Sequence, residues 1–160
     1  MDNEFSQSIY PPNYQKTRGL YSPAKKVNMG NYYLIFISGH QATKDPVTHD
    51  IIMDGIEEQT ESAFENFTAT VEAAGATLEN IAQLTLYLSN LDDLEIVTKI
   101  KEKWITSSNY ICNVVKMTRG TRVGSKIEID GVAILITKLD ADISQAISLV
   151  SKIDEQRRKR

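Results

Sequence analysis

One short stretch of the chain gathers His40, Asp45, His49 and Asp50, residue types that can ligate a metal or pass a proton. Their intervals follow no recognised ligand spacing, and Pro46 breaks the stretch. They therefore read as solvated loop residues, and no metal site is expected. Cys112 is the single cysteine. A thiolate nucleophile needs a base or a cation beside it, and neither histidine is near it in sequence. Glu128 alternates with Ile127 and Ile129, so by itself it reads as a carboxylate on the polar side of a strand. The run Arg157-Arg158-Lys159-Arg160 could meet RNA or an anionic membrane surface, but it reads more simply as a solvated terminus. The chain has no phosphate-cradling glycine loop and no Ser-His-Asp pattern with local support.

The elements that must position these groups follow from periodicity. Tyr32 to Ile37 is a continuous apolar run rich in aromatic and β-branched residues, which predicts a buried strand ended by Ser38-Gly39. Residues 40–55 read as loop. From Ile56 the period becomes helical: Ala63, Phe64, Phe67, Val71 and Ala74 share a face opposite Glu57, Glu58, Glu61 and Glu65, and Gly75 offers the C-terminal stop. Leu84, Leu86 and Leu88 alternate with Thr85 and Tyr87, predicting a strand with one strongly apolar face. Asn90 then caps a second helix that carries Leu94, Val97, Ile100 and Trp104 and runs to about Ile105, with Trp104 in the core. Residues 111–118 and 126–137 read as strands joined by a glycine-containing turn.

This order, β-β-α-β-α-β-β, predicts an α+β fold: one sheet with two helices on one face. The other face then needs a partner, and a symmetric oligomer would supply it. Residues 1–18, with Pro11-Pro12-Asn13, read as a loose lead-in, and 19–137 as the domain. Residues 138–160 form an extension whose Ile143, Ala146, Ile147, Val150 and Ile153 make an amphipathic helical stripe before the basic tail.

The bulk properties fit this reading. A chain of 160 residues holds one domain with a real core, and 41% hydrophobic and 24% charged residues are ordinary for a globular protein. The net charge of -3 gives no general pull toward nucleic acid or anionic membrane. No stretch approaches the ~20 apolar residues of a membrane span. The first ten residues carry Asp2 and Glu4 and no apolar core of a secretory signal, and the lone cysteine suits a reducing compartment, so the expected location is cytoplasmic.

Three ordered stretches carry a resemblance. They are Tyr21-Ser22-Pro23-Ala24 with Phe36-Ile37-Ser38-Gly39; Glu58-Gln59-Thr60 through Phe64-Glu65-Asn66-Phe67 to Glu72-Ala73-Ala74-Gly75-Ala76; and Thr85-Leu86-Tyr87-Leu88 with Leu91-Asp92-Asp93-Leu94, then Lys126-Ile127-Glu128-Ile129 with Ala133-Ile134. On the matching order of elements, this set resembles the Rid (YjgF, L-PSP-like) superfamily over residues 19–137. The resemblance implies a chorismate-mutase-like fold and a homotrimer with small-molecule clefts between subunits. It also implies a cofactor-free hydrolase that deaminates 2-imino or 2-enamino acids; the family's ribonuclease and translation-inhibitor label is a further alternative. It assigns water activation to Glu128 and substrate contacts to Tyr21, Ser38 and Gly39.

The resemblance departs at one place. The family pattern has an arginine on the strand before the last, suited to gripping a carboxylate in a bidentate fork. An ungapped count back from Lys126 puts Asn113 there, and one inserted residue would put Cys112 there. Both are candidate pocket residues. Arg119 and Arg122 fall in the following turn, several residues later. Without that guanidinium, a non-catalytic metabolite-binding module stands beside the hydrolase reading. The acidic balance and the lack of interleaved basic and aromatic residues speak against nucleic acid.

Overall fold

The computed structural model describes residues 5–12, 14, 19–45, 47–118, 120 and 122–137. The amphipathic stripe and basic tail expected at 138–160 lie outside these residues, as does Arg119. The strands are β1 (Ser6–Ile9), β2 (Ala24–Asn28), β3 (Tyr32–His40), β4 (Ile81–Leu88), β5 (Ile111–Lys116) and β6 (Ile127–Ile136). They form one sheet in the order β1-β2-β3-β6-β4-β5, antiparallel throughout except for the parallel β4–β5 pair. Helices α1 (Ile56–Ala73) and α2 (Leu94–Trp104) complete the α+β fold.

The helix stripe does what its spacing demands. Ala63, Phe64, Phe67 and Val71 of α1 are fully buried against β3 and β6. Each large side chain among them removes enough apolar surface from water to contribute ~1.5–3 kcal/mol. Glu57 and Glu58 sit in the first turn, where the helix dipole favours carboxylates. The helix stops because Gly75 adopts φ +80°, letting the Ala76 N–H reach back 3.2 Å to the Val71 carbonyl. Lys26 Nζ donates to the Ala74 carbonyl at 2.8 Å, a cation at the negative end of the helix. The indole of Trp104 stacks on Phe64, centroids 6.0 Å apart, and its N–H donates to Glu61 Oε2 at 2.7 Å. Asn90 caps a single 3-10 turn, Leu91–Asp93, that precedes α2.

Two elements differ from the sequence expectation. The lead-in is partly sheet: Ser6–Ile9 pairs antiparallel with Ala24–Val27. Also, β3 does not end at Ser38-Gly39. It continues to His40 through a bulge, since Ile37 pairs with Gly131 but His40 pairs with Ile129. One extra residue on β3 is absorbed there, opposite Asp130.

The pleat separates the two sheet faces. Ile35, Ile37, Leu84, Leu86, Leu88, Ile127, Ile129 and Ala133 point to the helices and are buried. The opposite face carries Phe36, 48% exposed, with Tyr32, Ile134 and Ile136 also exposed.

Candidate functional site

The bulge at Ser38-Gly39 builds the site. Glu128 pairs in register with Tyr87, two residues along β6 from Asp130, on the face away from the helices. Its carboxylate lies against Gly39, where any Cβ would overlap Glu128 Oε1. Gly39 is therefore required by close approach. Gln41, just past the bulge, donates from Nε2 to Glu128 Oε2 at 2.6 Å, and Asn66 of α1 donates to the Gln41 carbonyl at 2.9 Å. A helix side chain thus braces the backbone whose side chain braces the carboxylate.

The same face adds Thr85, in register with Asp130 and with Asn113, and Tyr87, whose hydroxyl donates to Asp130 Oδ2 at 2.8 Å. That hydrogen bond, with burial second, raises the Tyr87 phenol above its usual range, so it is held as a proton donor. The bare-face positions of β4, β5 and β6 hold two carboxylates and no lysine or arginine.

The register separates the two candidates for the arginine place. Asn113 pairs with Thr85 and shares the Glu128 face; Cys112 pairs with Leu84 and points to the opposite face, where it is exposed. The Tyr21 motif is tied to the bulge through the Ser38 N–H, which donates to the Pro23 carbonyl at 2.8 Å. Tyr21 itself is exposed, its ring folded so closely onto Gly19 that a Cβ there would come within 2.7 Å. Ser38 and Gly39 thus border Glu128, with Tyr21 on the adjoining loop, while Asn113 shares the bare face two strands from β6, level with Asp130.

His40 is not the solvated loop residue that its neighbourhood in sequence suggests. It is the last residue of β3, and its ring turns to the helix side, in edge contact with Phe67. Nδ1 lies 2.6 Å from the Ser38 carbonyl, which can only accept, so Nδ1 carries the proton. Burial is the largest influence and holds the imidazole below its usual pKa. In this neutral ring Nε2 is the acceptor, 2.7 Å from the Thr70 hydroxyl. Sequence reasoning missed this group because its partner is thirty residues away on α1. Asp45, in contrast, is spent on its own turn, accepting from the Val47 and Thr48 N–H groups at 2.8 and 2.7 Å, which lowers its pKa. Among the described residues, no three His, Cys, Asp or Glu side chains gather as metal ligands.

Beside the bulge lies a cavity of about 530 Å³, walled by Pro11, Pro12 and Tyr14, by Ser38–Gln41 and by α1.

Comparisons with known proteins bear on the family and the fold. The endoribonuclease L-PSP family profile matches residues 13–135, most of the chain. The chain belongs to this family, the Rid/YjgF/L-PSP superfamily. A RutC family protein of Pyrococcus abyssi is 34% identical over 111 residues, 69% of this chain and 84% of that protein. The human 2-iminobutanoate/2-iminopropanoate deaminase is 30% identical over 100 residues, 62% of this chain and 72% of that protein. RidA of an Antarctic Psychrobacter is 27% identical and superposes with a TM-score of 0.67, covering 82% of this chain and 99% of that one. Rid membership accounts for the mixed sheet with two helices on one side. Among the described residues, no helix is long and apolar enough to cross a membrane.

Proposed function

We propose that this Rid protein works in the cytoplasm as a homotrimer whose inter-subunit clefts hydrolyse a small imine, enamine or related carbonyl compound without a cofactor. The observation that carries the reading is the clamped carboxylate: Glu128 is held by Gln41 at 2.6 Å over a glycine. Gln41 donates to Oε2, and the further lone pairs of a carboxylate give it the capacity to take a proton from water as a general base. Ser38, Gly39, Asn113 and the nearby Tyr21 orient the substrate. Cys112, on the opposite face, has no such role in this cleft. The exposed apolar residues Phe36, Ile134 and Ile136 supply the surface that sister subunits cover. The human relative's name adds support for imine deamination, and the lone cysteine suits the cytoplasm.

The test is ammonia release from imino acids generated in place by an amino-acid oxidase. The wild type accelerates release over buffer, and Glu128→Ala loses that acceleration by about 10²–10⁴-fold, the usual contribution of general acid–base catalysis. No acceleration by the wild type removes the reaction.

A second reading is favoured by the absence of a cation from the β4–β5–β6 bare face. Without a guanidinium partner, a substrate carboxylate loses ~1.5–3 kcal/mol of charge-assisted binding. The cleft then serves as a metabolite-binding site, read as ligand-dependent thermal stabilisation without turnover.

A further inference from the structure

We propose that the Glu128 site acts on the iminium of a carboxylate-free amine, with Asp130 holding the cationic nitrogen and an apolar body lying along β5. The proposal rests on the hydrolase reading above and names the substrate class of that same site.

The charge on the bare face sets the class. Glu128 and Asp130 are two residues apart on β6, both half-buried on this face. The strand rise puts their Cα atoms ~7 Å apart, which leaves room for a C=N group and one water between the carboxylates. Among the described residues, the lysines nearest by sequence or register are turned to other work. Lys126, just before β6, donates to the Asp54 carbonyl. Lys25 faces this side from β2, opposite Phe36 and two strands from β6, and already has a partner. Lys116 pairs with Leu88 and so points to the helix side. A substrate carboxylate would meet like charge here without a counter-ion, whereas an iminium meets opposite charge.

The neighbours divide the work between the two carboxylates. Tyr87 donates to Asp130 Oδ2 at 2.8 Å, which orients that carboxylate from the adjoining strand. Its remaining lone pairs can accept from the N–H groups of an iminium. Glu128, braced by Gln41, is left for water. Level with Asp130 across Thr85 lies Asn113, flanked on the same face of β5 by the exposed Ile111 and Val115. A neutral amide between two apolar side chains suits an alkyl or aryl body rather than a second charge. In the reaction the water oxygen bonds to the imine carbon, the C=N electron pair moves to nitrogen, and Glu128 takes the water proton. Glu128 then returns that proton to nitrogen. The C–N bond breaks, ammonia leaves, and the carbinolamine hydroxyl gives up its proton to become the carbonyl.

The experiment compares two imines that differ only by the carboxylate, using the 160-residue chain. A flavin amine oxidase makes 2-phenylethan-1-imine in place from phenethylamine, and an amino-acid oxidase makes 2-imino-3-phenylpropanoate from phenylalanine. Ammonia release over buffer is expected for both, with kcat/KM at least about tenfold higher for the carboxylate-free imine, the low end of one charge-assisted hydrogen bond. Asp130→Asn, which can still accept from Tyr87, should bring the ratio near one, and Asn113→Arg should reverse it. A merely structural loss lowers both rates together, so the ratio reads the charge. Equal rates, a preference for the imino acid, or a ratio unmoved by Asp130→Asn would each overturn the assignment while leaving the Glu128 reaction in place. Acceleration of neither imine would remove both.

Discussion

The two faces of the sheet come from the same strands and have opposite fates. On β4, Leu84, Leu86 and Leu88 are buried under the helices, while Thr85 and Tyr87 between them face away. On β6, Ile127 and Ile129 are buried, and Glu128 and Asp130 are not. The helix-covered face is used up by folding. The bare face is divided: an apolar end at Phe36, Ile134 and Ile136 offers surface for sister chains, and a polar end at Glu128, Asp130 and Asn113 keeps groups that can meet a substrate. Strand alternation thus leaves one face to folding and the other to the assembly and chemistry proposed above.

The sharpest way to break this contrast is to truncate an aromatic on each face. Phe67→Ala on the covered face opens a cavity beneath Gly131 and β6, and should cost about 3–5 kcal/mol in chemical denaturation. Phe36→Ala on the bare face should leave the folding of each chain nearly unchanged and instead raise the concentration at which chains associate. Similar losses in both, independent of protein concentration, would mean that the faces are not different in kind.

At the polar end, Gly39→Ala forces the new methyl into the place of the Glu128 carboxylate. The chain should still fold, as read by circular dichroism, while ammonia release falls about 10²-fold, the cost of misplacing a reacting group by about 1 Å. Retained activity would detach Glu128 from the chemistry.

The smallest effect belongs to His40, where the covered face meets the bulge. Its native pKa is lowered from 6.5, so as pH drops below that value the unfolded chain takes the proton before the folded one does. The stability it confers is complete above about 6.5 and is lost as pH falls through the lowered native value. Thermal melts from pH 7 to 5 should fall by a few °C in the wild type and less in His40→Gln. Asp45 contributes in a different window, below 3.8. Parallel pH curves for wild type and variant would show that the ring is not held neutral.

Helix α1 was legible in the sequence because its signals are local: the apolar stripe, the acidic first turn and Gly75 act within a few residues of one another. The β4 alternation was legible for the same reason. Strand β1 was not, because Ser-Gln-Ser-Ile has no apolar pattern and pairs through the backbone groups of β2. The bulge was also hidden. It is a property of the register between β3 and β6, whose partners are about ninety residues apart in sequence. Because the bulge places Gly39 under Glu128 and sends His40 to Thr70, much of the site's geometry waited on the fold. The choice between Cys112 and Asn113 waited on register too, since one residue's shift reverses the face.

Sedimentation equilibrium of the dilute 160-residue chain tests the use of the bare face most directly. Assembly through Phe36, Ile134 and Ile136 predicts a species of three times the 18.0 kDa chain mass, and a lysine in place of Phe36 should dissociate it. A stable particle of 18.0 kDa at micromolar concentration would contradict the account, because Glu128 and Asn113 would then line open surface rather than a cleft.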